Sequence, residues 1–189
     1  MGEVQLRPVR LEDLDVFDRS FLGADGAGEH QWFGFTPSHR VRQAFQERGL
    51  LGGEDNMLSV DAGNELAGRV EWLERRWGRR DTSLCWEIAV GILPGYRGKG
   101  YGTAAQRDLV EYLFTHTRVE RVQATTDPEN IAEQTCLQRI GFTLEGRVRR
   151  AQWRQGRWHD QLLYSLLREE HGTGQPGQDG QPHQDGTIR

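Results

Sequence analysis

The alternation of apolar and polar residues predicts a strand, two helices and three further strands in the N-terminal half of the chain. Apolar residues follow the period of a strand over residues 4–9 and helical spacing over residues 11–17 and 41–51. Three more strands, separated by turn residues, are expected over residues 57–60, 66–73 and 84–92. The last of these is rich in apolar residues, which favours a central position in the sheet.

The C-terminal half continues with the same two periods. Helices are expected over residues 103–115 and 131–140, and strands over 119–125, 142–145, 148–153 and 162–167. Gly141 closes the second helix, since glycine readily adopts the left-handed cap conformation. Residues 23–37 are rich in glycine and aromatics, which is typical of a loop that covers a pocket. The order of elements predicts one α/β (α+β) domain over residues 1–170, with helices on a mostly antiparallel sheet.

Composition narrows the class of protein. Residues 171–189 contain too few apolar side chains to form a core, so we interpret them as a disordered tail. Over the full sequence, 35% hydrophobic and 28% charged residues are typical of a soluble globular chain. No apolar run is long enough to span a membrane and the N-terminus lacks the apolar core of a signal peptide, so a cytoplasmic location is expected.

Charge and cysteine content argue against a protein that binds nucleic acid or a membrane and against a metal-binding protein. The net charge is −4, with acidic and basic residues interleaved, so neither nucleic acid nor a membrane is expected as a partner. Five arginines lie close together in the sequence: Arg147, Arg149, Arg150, Arg154 and Arg157. We interpret this cluster as a solvated face, with a phosphate-binding patch as the alternative. Cys85 and Cys136 lack metal-ligand spacing, so no metal is expected and each is interpreted as a core residue.

The most informative segment covers residues 94–103, between a predicted strand and a predicted helix. It reads Pro-Gly-Tyr-Arg-Gly-Lys-Gly-Tyr-Gly-Thr. Glycine allows backbone amides to approach an anion closely, and the following helix presents its positive end to the same anion. The segment lacks the Gly-Lys-Ser/Thr ending of a nucleotide loop and the glycine spacing of a dinucleotide fold. It therefore predicts a cradle for a pyrophosphate.

Three motifs together resemble the GNAT superfamily of N-acetyltransferases, in its RimJ/RimL-like branch. Arg97-Gly98-Lys99-Gly100-Tyr101-Gly102 is similar to the acetyl-CoA signature Arg/Gln-x-x-Gly-x-Gly/Ala. Asn130 with the helix that ends in Gly141-Phe142 resembles the branch's second signature, and residues 86–92 resemble its fourth strand. The segments at 144–146 and 158–164 resemble its C-terminal hairpin, so the similarity covers most of residues 4–168.

The resemblance implies a GNAT fold in which strands 4 and 5 splay apart and acetyl-CoA is the co-substrate. Backbone groups near Val90 and Ile92 would pair with pantetheine, and the side chain of Asn130 would reach the same arm. The acetyl group would pass directly to an amine, without a covalent enzyme intermediate. The residues expected to bind the pyrophosphate are Arg97, Gly98, Lys99, Gly100, Gly102 and Thr103.

Glu87 and Glu133 are the candidate catalytic residues. Glu87, on the predicted central strand, is the preferred base, with a structural hydrogen-bond acceptor as the alternative. Glu133 stands where the family usually has a serine near the thioester, and a glutamate there can accept the amine proton, donate one to the leaving thiolate or simply favour the helix dipole. Leu137 occupies the position where many family members have a tyrosine general acid, and Gln152 the position where RimL-like enzymes can have a catalytic glutamate. The family's general acid and general base therefore cannot be assigned directly to residues of this chain.

The acceptor is left open by the sequence. Trp32, Phe33, Trp72 and Trp153 are candidate substrate-binding aromatics, with core or rim packing as the alternative. The acceptor classes are a protein or peptide N-terminus, a polyamine or amino acid, and an antibiotic amine, and the net acidic charge favours a small cation. A catalytically silent acyl-CoA-binding module is the competing function, and homodimerisation is left open.

Overall fold

The computed structural model describes residues 3–21 and 23–172. A seven-stranded sheet in the order β1-β2-β3-β4-β5-β7-β6 forms its centre. The strands are β1 (Val4–Pro8), β2 (Asp55–Ala62), β3 (Glu65–Arg76), β4 (Leu84–Ile92), β5 (Arg121–Thr126), β6 (Thr143–Arg154) and β7 (Arg157–Leu167). The helices are α1 (Leu11–Phe21), α2 (Ala24–Ala27), α3 (His39–Arg48), α4 (Tyr101–His116) and α5 (Ile131–Ile140).

The pairing of the strands confirms a mixed, mostly antiparallel sheet. Neighbouring strands run antiparallel except for β4 and β5, which are parallel. Within the described residues, β4 and β5 pair only at Trp86–Val122 and Glu87–Gln123, so β4 diverges from β5 over residues 88–92. The expected splay between strands 4 and 5 is therefore present, and it leaves one edge of β4 open.

Two cores hold the domain together. In the larger one, side chains of α4 such as Leu109 and Leu113, which are fully buried, pack on Val70 of β3. In the smaller core, Leu14 and Phe17 of α1 pack with Leu50 and Met57. The C-terminal end of α1 lies near the C-terminal end of β4, since Phe21 and Gly91 line the same cavity.

Several boundaries differ from those predicted by periodicity. The two strands expected at 142–145 and 148–153 form one strand, β6, whose pairing with β7 is irregular, and Arg150 within it has a φ of 51°. The loop expected at 23–37 contains the single helical turn α2. Helix α3 ends at Arg48, because Gly49 takes the left-handed conformation.

The described chain also continues past the predicted end of the domain. His171 lies 2.7 Å from a carboxylate oxygen of Glu111 and its ring packs on Phe114, so this residue belongs to the fold and not to a tail. The remainder of the predicted tail, 173–189, lies outside the described residues. Within the described part, no helix is both long and apolar enough to cross a membrane.

Candidate active site

The glycine-rich loop before α4 has the conformation that an anion cradle requires. Gly98 and Gly100 have φ angles of 73° and 83°, a region that favours glycine. Gly100 is the N-cap of the 16-residue helix α4, and no side chain caps that end. The first amides of α4 are therefore available to an anion, which the helix dipole also favours.

A cavity of about 520 Å³ opens beside this loop, between β4, α4 and α5. It brings together eight of the nine residues expected to bind the co-substrate: Val90, Ile92, Arg97, Gly98, Gly100, Gly102, Thr103 and Asn130. Glu133 and Cys136 of α5 also line it. We refer to it as the cofactor cavity.

Three of the residues expected to bind the co-substrate have polar side chains that form hydrogen bonds within the protein. Lys99 lies outside the lining, because its ammonium group donates to the carbonyl of Gly95 at 2.9 Å. The guanidinium of Arg97 donates to the carbonyls of Ile92, Asp25 and Gly26. Asn130 caps α5 by accepting a hydrogen bond from the amide of Glu133 at 3.2 Å. Anion binding in the cradle therefore depends mainly on backbone amides.

Among the ionisable groups that line the cofactor cavity, Glu133 has the most strongly shifted pKa. Burial raises its pKa to about 7, against the opposing effect of a weak hydrogen bond from Gln106 at 3.4 Å. Cys136 accepts a hydrogen bond from the Thr103 hydroxyl at 2.9 Å, and burial raises the pKa of its thiol. The thiol is therefore protonated at neutral pH. Cys136 is half-buried and lines the cavity, so it is not the core residue that was expected, whereas Cys85 is buried in the larger core.

Glu87 does not reach either cavity, so its assignment as the preferred base is withdrawn. Its two carboxylate oxygens accept hydrogen bonds from Arg75, Gln123 and Thr125 at 3.0, 2.9 and 3.3 Å. Its side chain is 16% exposed and bridges β3, β4 and β5. The structural alternative, a hydrogen-bond acceptor within the sheet, describes this environment.

A second cavity of about 430 Å³ lies between the sheet, α1 and the loop that leads to α3. Trp32 and Phe33, two of the predicted substrate-binding aromatics, line it. Its charged lining residues are the carboxylates Asp18, Asp55 and Glu71 and the guanidinium groups of Arg40 and Arg69. All three carboxylates are paired with arginines: Glu71 with Arg69, and Asp18 and Asp55 with Arg42 and Arg48, which lie outside the lining. We refer to it as the acceptor cavity.

The two cavities meet at the point where β4 leaves β5. Ala27, Gln31, Val90 and Gly91 line both cavities. Glu71 pairs in register with Ala89, and Arg69 with Gly91, so these two charged residues in the middle of β3 lie next to this junction. The two cavities therefore adjoin along this part of β4.

Two other predicted substrate-binding residues lie elsewhere. Trp72 is 4% exposed in the larger core and its ring packs on Tyr112 of α4. Trp153 lies on β6 in an edge-to-face pair with Trp158, and it lines neither cavity. Side chains alternate between the two faces of a strand, which turns Trp72 away from the acceptor cavity. Both assignments are therefore withdrawn.

Sequence reasoning missed a buried ionic cluster beside the cavities. Arg154 and Asp127 form an ion pair at 2.7 Å with side chains 2% exposed, and His159 lies 3.3 Å from the same carboxylate. Burial opposes ionisation of Asp127, but the amide of Glu129 and the guanidinium of Arg154 outweigh it and lower the pKa of Asp127. Arg154 therefore does not belong to a solvated arginine face. Residue type alone carried no sign of this burial, since arginine is usually exposed.

Among the residues that the structure describes, no three His, Cys, Asp or Glu side chains are grouped so that they could hold a metal ion.

Comparison with known proteins places the chain in a family. Residues 3–143 match the family model described as Acetyltransferase (GNAT) domain. A spermidine N(1)-acetyltransferase of Escherichia coli strain K12 is 25% identical over 185 residues, which cover 93% of this chain and 92% of that protein. YnaD, an uncharacterized N-acetyltransferase of Bacillus subtilis strain 168, is 33% identical over 85 residues, 45% of this chain and about half (50%) of that protein.

Solved structures agree at the level of the fold. Spermidine N-acetyltransferase from Vibrio cholerae, in complex with CoA and spermine, has a TM-score of 0.75 at 19% identity, with 88% of this chain and 96% of that chain covered. RimL, a ribosomal L7/L12 α-N-protein acetyltransferase in complex with coenzyme A, has a TM-score of 0.72 at 19% identity, with 87% and 93% covered. The family match extends over most of the chain and includes the glycine loop, so this protein belongs to the GNAT acetyltransferase family and is an acetyl-CoA-dependent N-acetyltransferase.

Proposed function

We propose that this protein transfers the acetyl group of acetyl-CoA to the primary amine of a small cationic acceptor, by direct attack within a ternary complex. The junction of the two cavities at Val90 and Gly91 is the observation that carries the proposal. Holding both reactants beside one open strand edge removes much of the entropic barrier to their reaction.

The residues of the cofactor cavity fit a CoA-type molecule. The amides at the start of α4, with the left-handed Gly98 and Gly100 before them, would hold its diphosphate. The unpaired edge of β4 over residues 88–92 would accept the pantetheine arm as an added strand. Acetyl-CoA, when bound, supplies the acetyl group as a thioester.

Glu133 is proposed as the proton donor on the leaving-group side. It lines the cofactor cavity and not the acceptor cavity, which supports a role beside the sulfur rather than the amine. With a pKa of about 7, its carboxyl group holds a proton for part of the time at neutral pH. A proton available at that position stabilises a departing thiolate.

The aromatic lining of the acceptor cavity supports a positively charged amine as the acceptor. Trp32 and Phe33 line the cavity and can contact a cation, whereas the Glu71 carboxylate beside the junction is already paired with Arg69 at 2.5 Å. A spermidine N(1)-acetyltransferase is among the relatives, which supports a polyamine-like acceptor. The similarity to RimL supports the RimJ/RimL-like branch and makes a protein N-terminus the second candidate acceptor.

The proposal is tested by incubating the protein and acetyl-CoA with a panel of polyamines, amino acids, antibiotic amines and N-terminal peptides. Released CoA and the acetylated product are both measured, the latter by mass spectrometry. Transfer to a cationic small amine is the expected result. Binding of CoA in calorimetry without product from any member of the panel would instead identify a catalytically silent acyl-CoA-binding module.

A further inference from the structure

The segment 27–34 forms the wall between the two cavities. Ala27 and Gln31 line both cavities, whereas Gly28, Glu29 and His30 line the cofactor cavity alone. The following residues, 32–34, line the acceptor cavity alone. We call residues 27–34 the partition segment. Its position sets the width of the junction through which an amine would reach the acetyl group.

Two arginine side chains from different elements donate hydrogen bonds to the backbone of this region. Arg97, from the glycine loop, donates to the carbonyls of Asp25 and Gly26, just before the partition segment. Arg154, from the end of β6, donates through Nη1 to the carbonyl of His30 at 2.7 Å, in the middle of the segment. The contact between Arg154 and His30 joins residues 124 positions apart in the chain.

Arg154 is held rigidly enough to act as an anchor. Its second terminal nitrogen, Nη2, donates to Asp127 Oδ2 at 2.7 Å and lies 3.1 Å from His159 Nδ1. Asp127 in turn lies in the connection between β5 and α5, where its carbonyl accepts a hydrogen bond from the amide of Asn130 at 2.9 Å. The cluster therefore connects the partition segment to the N-terminus of α5, on which Glu133 lies. A buried charge-assisted pair of this kind has a well-defined geometry.

The geometry points to Arg154 as a positioning residue for acetyl transfer: its guanidinium holds the partition segment at His30 and so keeps the acceptor cavity aligned with the thioester. This role rests on the proposed function, since it concerns the acceptor of the same reaction. Arg154 lines neither cavity, so it acts through the partition segment and not on the reactants.

The test compares Arg154→Lys with Arg7→Lys. Lysine at position 154 keeps a cation beside Asp127. It has one terminal nitrogen, whereas arginine uses two, Nη2 for Asp127 and Nη1 for the carbonyl of His30. Arg7 is a matched control, since its guanidinium also bonds two carboxylates, those of Asp13 and Asp61, and it lines neither cavity. The double variant Arg154→Met/Asp127→Asn removes both buried charges together, which keeps the test available if Arg154→Lys folds poorly.

Three quantities are measured for each folded variant: amide hydrogen exchange over residues 26–34, the affinity for CoA by calorimetry, and kcat and KM for the acceptor amine. In the Arg154 variants, exchange over this segment should rise by about tenfold, as expected for local opening. The ratio kcat/KM for the amine should fall by about 10- to 100-fold, because small displacements of reactants are costly. Affinity for CoA should change by less than about threefold, since the glycine loop is untouched.

The outcomes separate this proposal from the proposed function. Exchange that stays at the wild-type level over residues 26–34, or that rises equally in Arg7→Lys, overturns the anchoring role. The anchoring role is also overturned if amine turnover falls in proportion to the melting temperature in both Arg154→Lys and Arg7→Lys. If exchange rises only in the Arg154 variants while wild-type protein acetylates no amine, the anchor stands and the proposed function fails.

Discussion

Glu133 and Glu87 show how the same carboxyl group acquires different properties in two places. Glu133 lines the cofactor cavity, and burial raises its pKa to about 7. Glu87 is bonded on both oxygens to Arg75, Gln123 and Thr125. A proton donor must lie in the site, and of these two residues Glu133 lines a cavity and Glu87 does not, so Glu133 is the one proposed for that role.

Replacing Glu133 with glutamine should lower kcat by about 100-fold, within the range typical of general acid–base groups, with little change in CoA affinity. Wild-type kcat should fall as pH rises through about 7, where the Glu133 carboxyl loses its proton, and this limb should be absent from the variant. Steady-state rates from pH 5.5 to 9 with an established acceptor measure both effects.

Glu87→Gln is the matched control for that experiment. It removes the same charge from a residue outside both cavities, so kcat should stay within about threefold of wild type. A large loss of kcat in Glu87→Gln together with normal rates in Glu133→Gln would reverse the assignment of the two residues.

Stability provides a second test of Glu133 that does not depend on turnover. Because its pKa is raised in the folded state, the native protein binds more protons than the unfolded chain between about pH 4.5 and 7, so stability falls as pH rises through that range. Glu133→Gln removes this loss and should be more stable than wild type by about 1 to 3 kcal/mol at pH 8. Near pH 4.5 the difference should nearly vanish. Urea unfolding at the two pH values measures it, and equal differences at both would contradict a raised pKa.

At the scale of elements, the loop that precedes α4 combines a backbone conformation with a helix end. Gly100 is the left-handed N-cap of α4, and the amides that follow it have no side-chain cap. The periodicity and the glycine spacing were sufficient to predict the loop, α4 and α5 from sequence, since both signals are local. They were insufficient for β6, where two short strands were expected in place of one irregular strand, because an irregularity in pairing depends on the partner strand.

Gly100→Asp should weaken CoA binding more than tenfold, or about 1.4 kcal/mol, because it puts a carboxylate beside the diphosphate. Aspartate favours N-cap positions and tolerates a left-handed conformation, so the variant should fold. Gly100→Asn has nearly the same shape without the charge and should lose much less affinity. Calorimetry with CoA measures the difference, and equal losses in both variants would show that space, and not charge, is limiting.

At the scale of the whole molecule, the folded domain extends to the contact between His171 and α4. His171 lies 2.7 Å from Glu111 and packs on Phe114, whereas the sequence predicted that the tail begins at this residue. A prediction based on composition cannot locate such a boundary, because one side chain can be ordered by its partner without changing the composition of its neighbours.

Truncation after Gly172 should leave the melting temperature within about 2 °C of the full chain and should not change the acetyl-transfer rate, because residues 173–189 have too few apolar side chains for a core. Truncation after Glu170 removes His171 as well and should lower the melting temperature further. Thermal unfolding of the three chains measures both. A large loss in the longer truncation would show that the tail binds to the domain.

The sequence by itself determined the features that short segments encode: the order of most helices and strands, the glycine-rich loop at 94–103 and the family to which they belong. Each depends on residues adjacent in the chain, where periodicity and backbone freedom act directly. Only the tertiary structure decided that Glu87 is engaged within the sheet, that Glu133 is buried enough to raise its pKa and that Arg154 reaches His30. These properties depend on burial and on partners distant in sequence, and local residue types do not specify either.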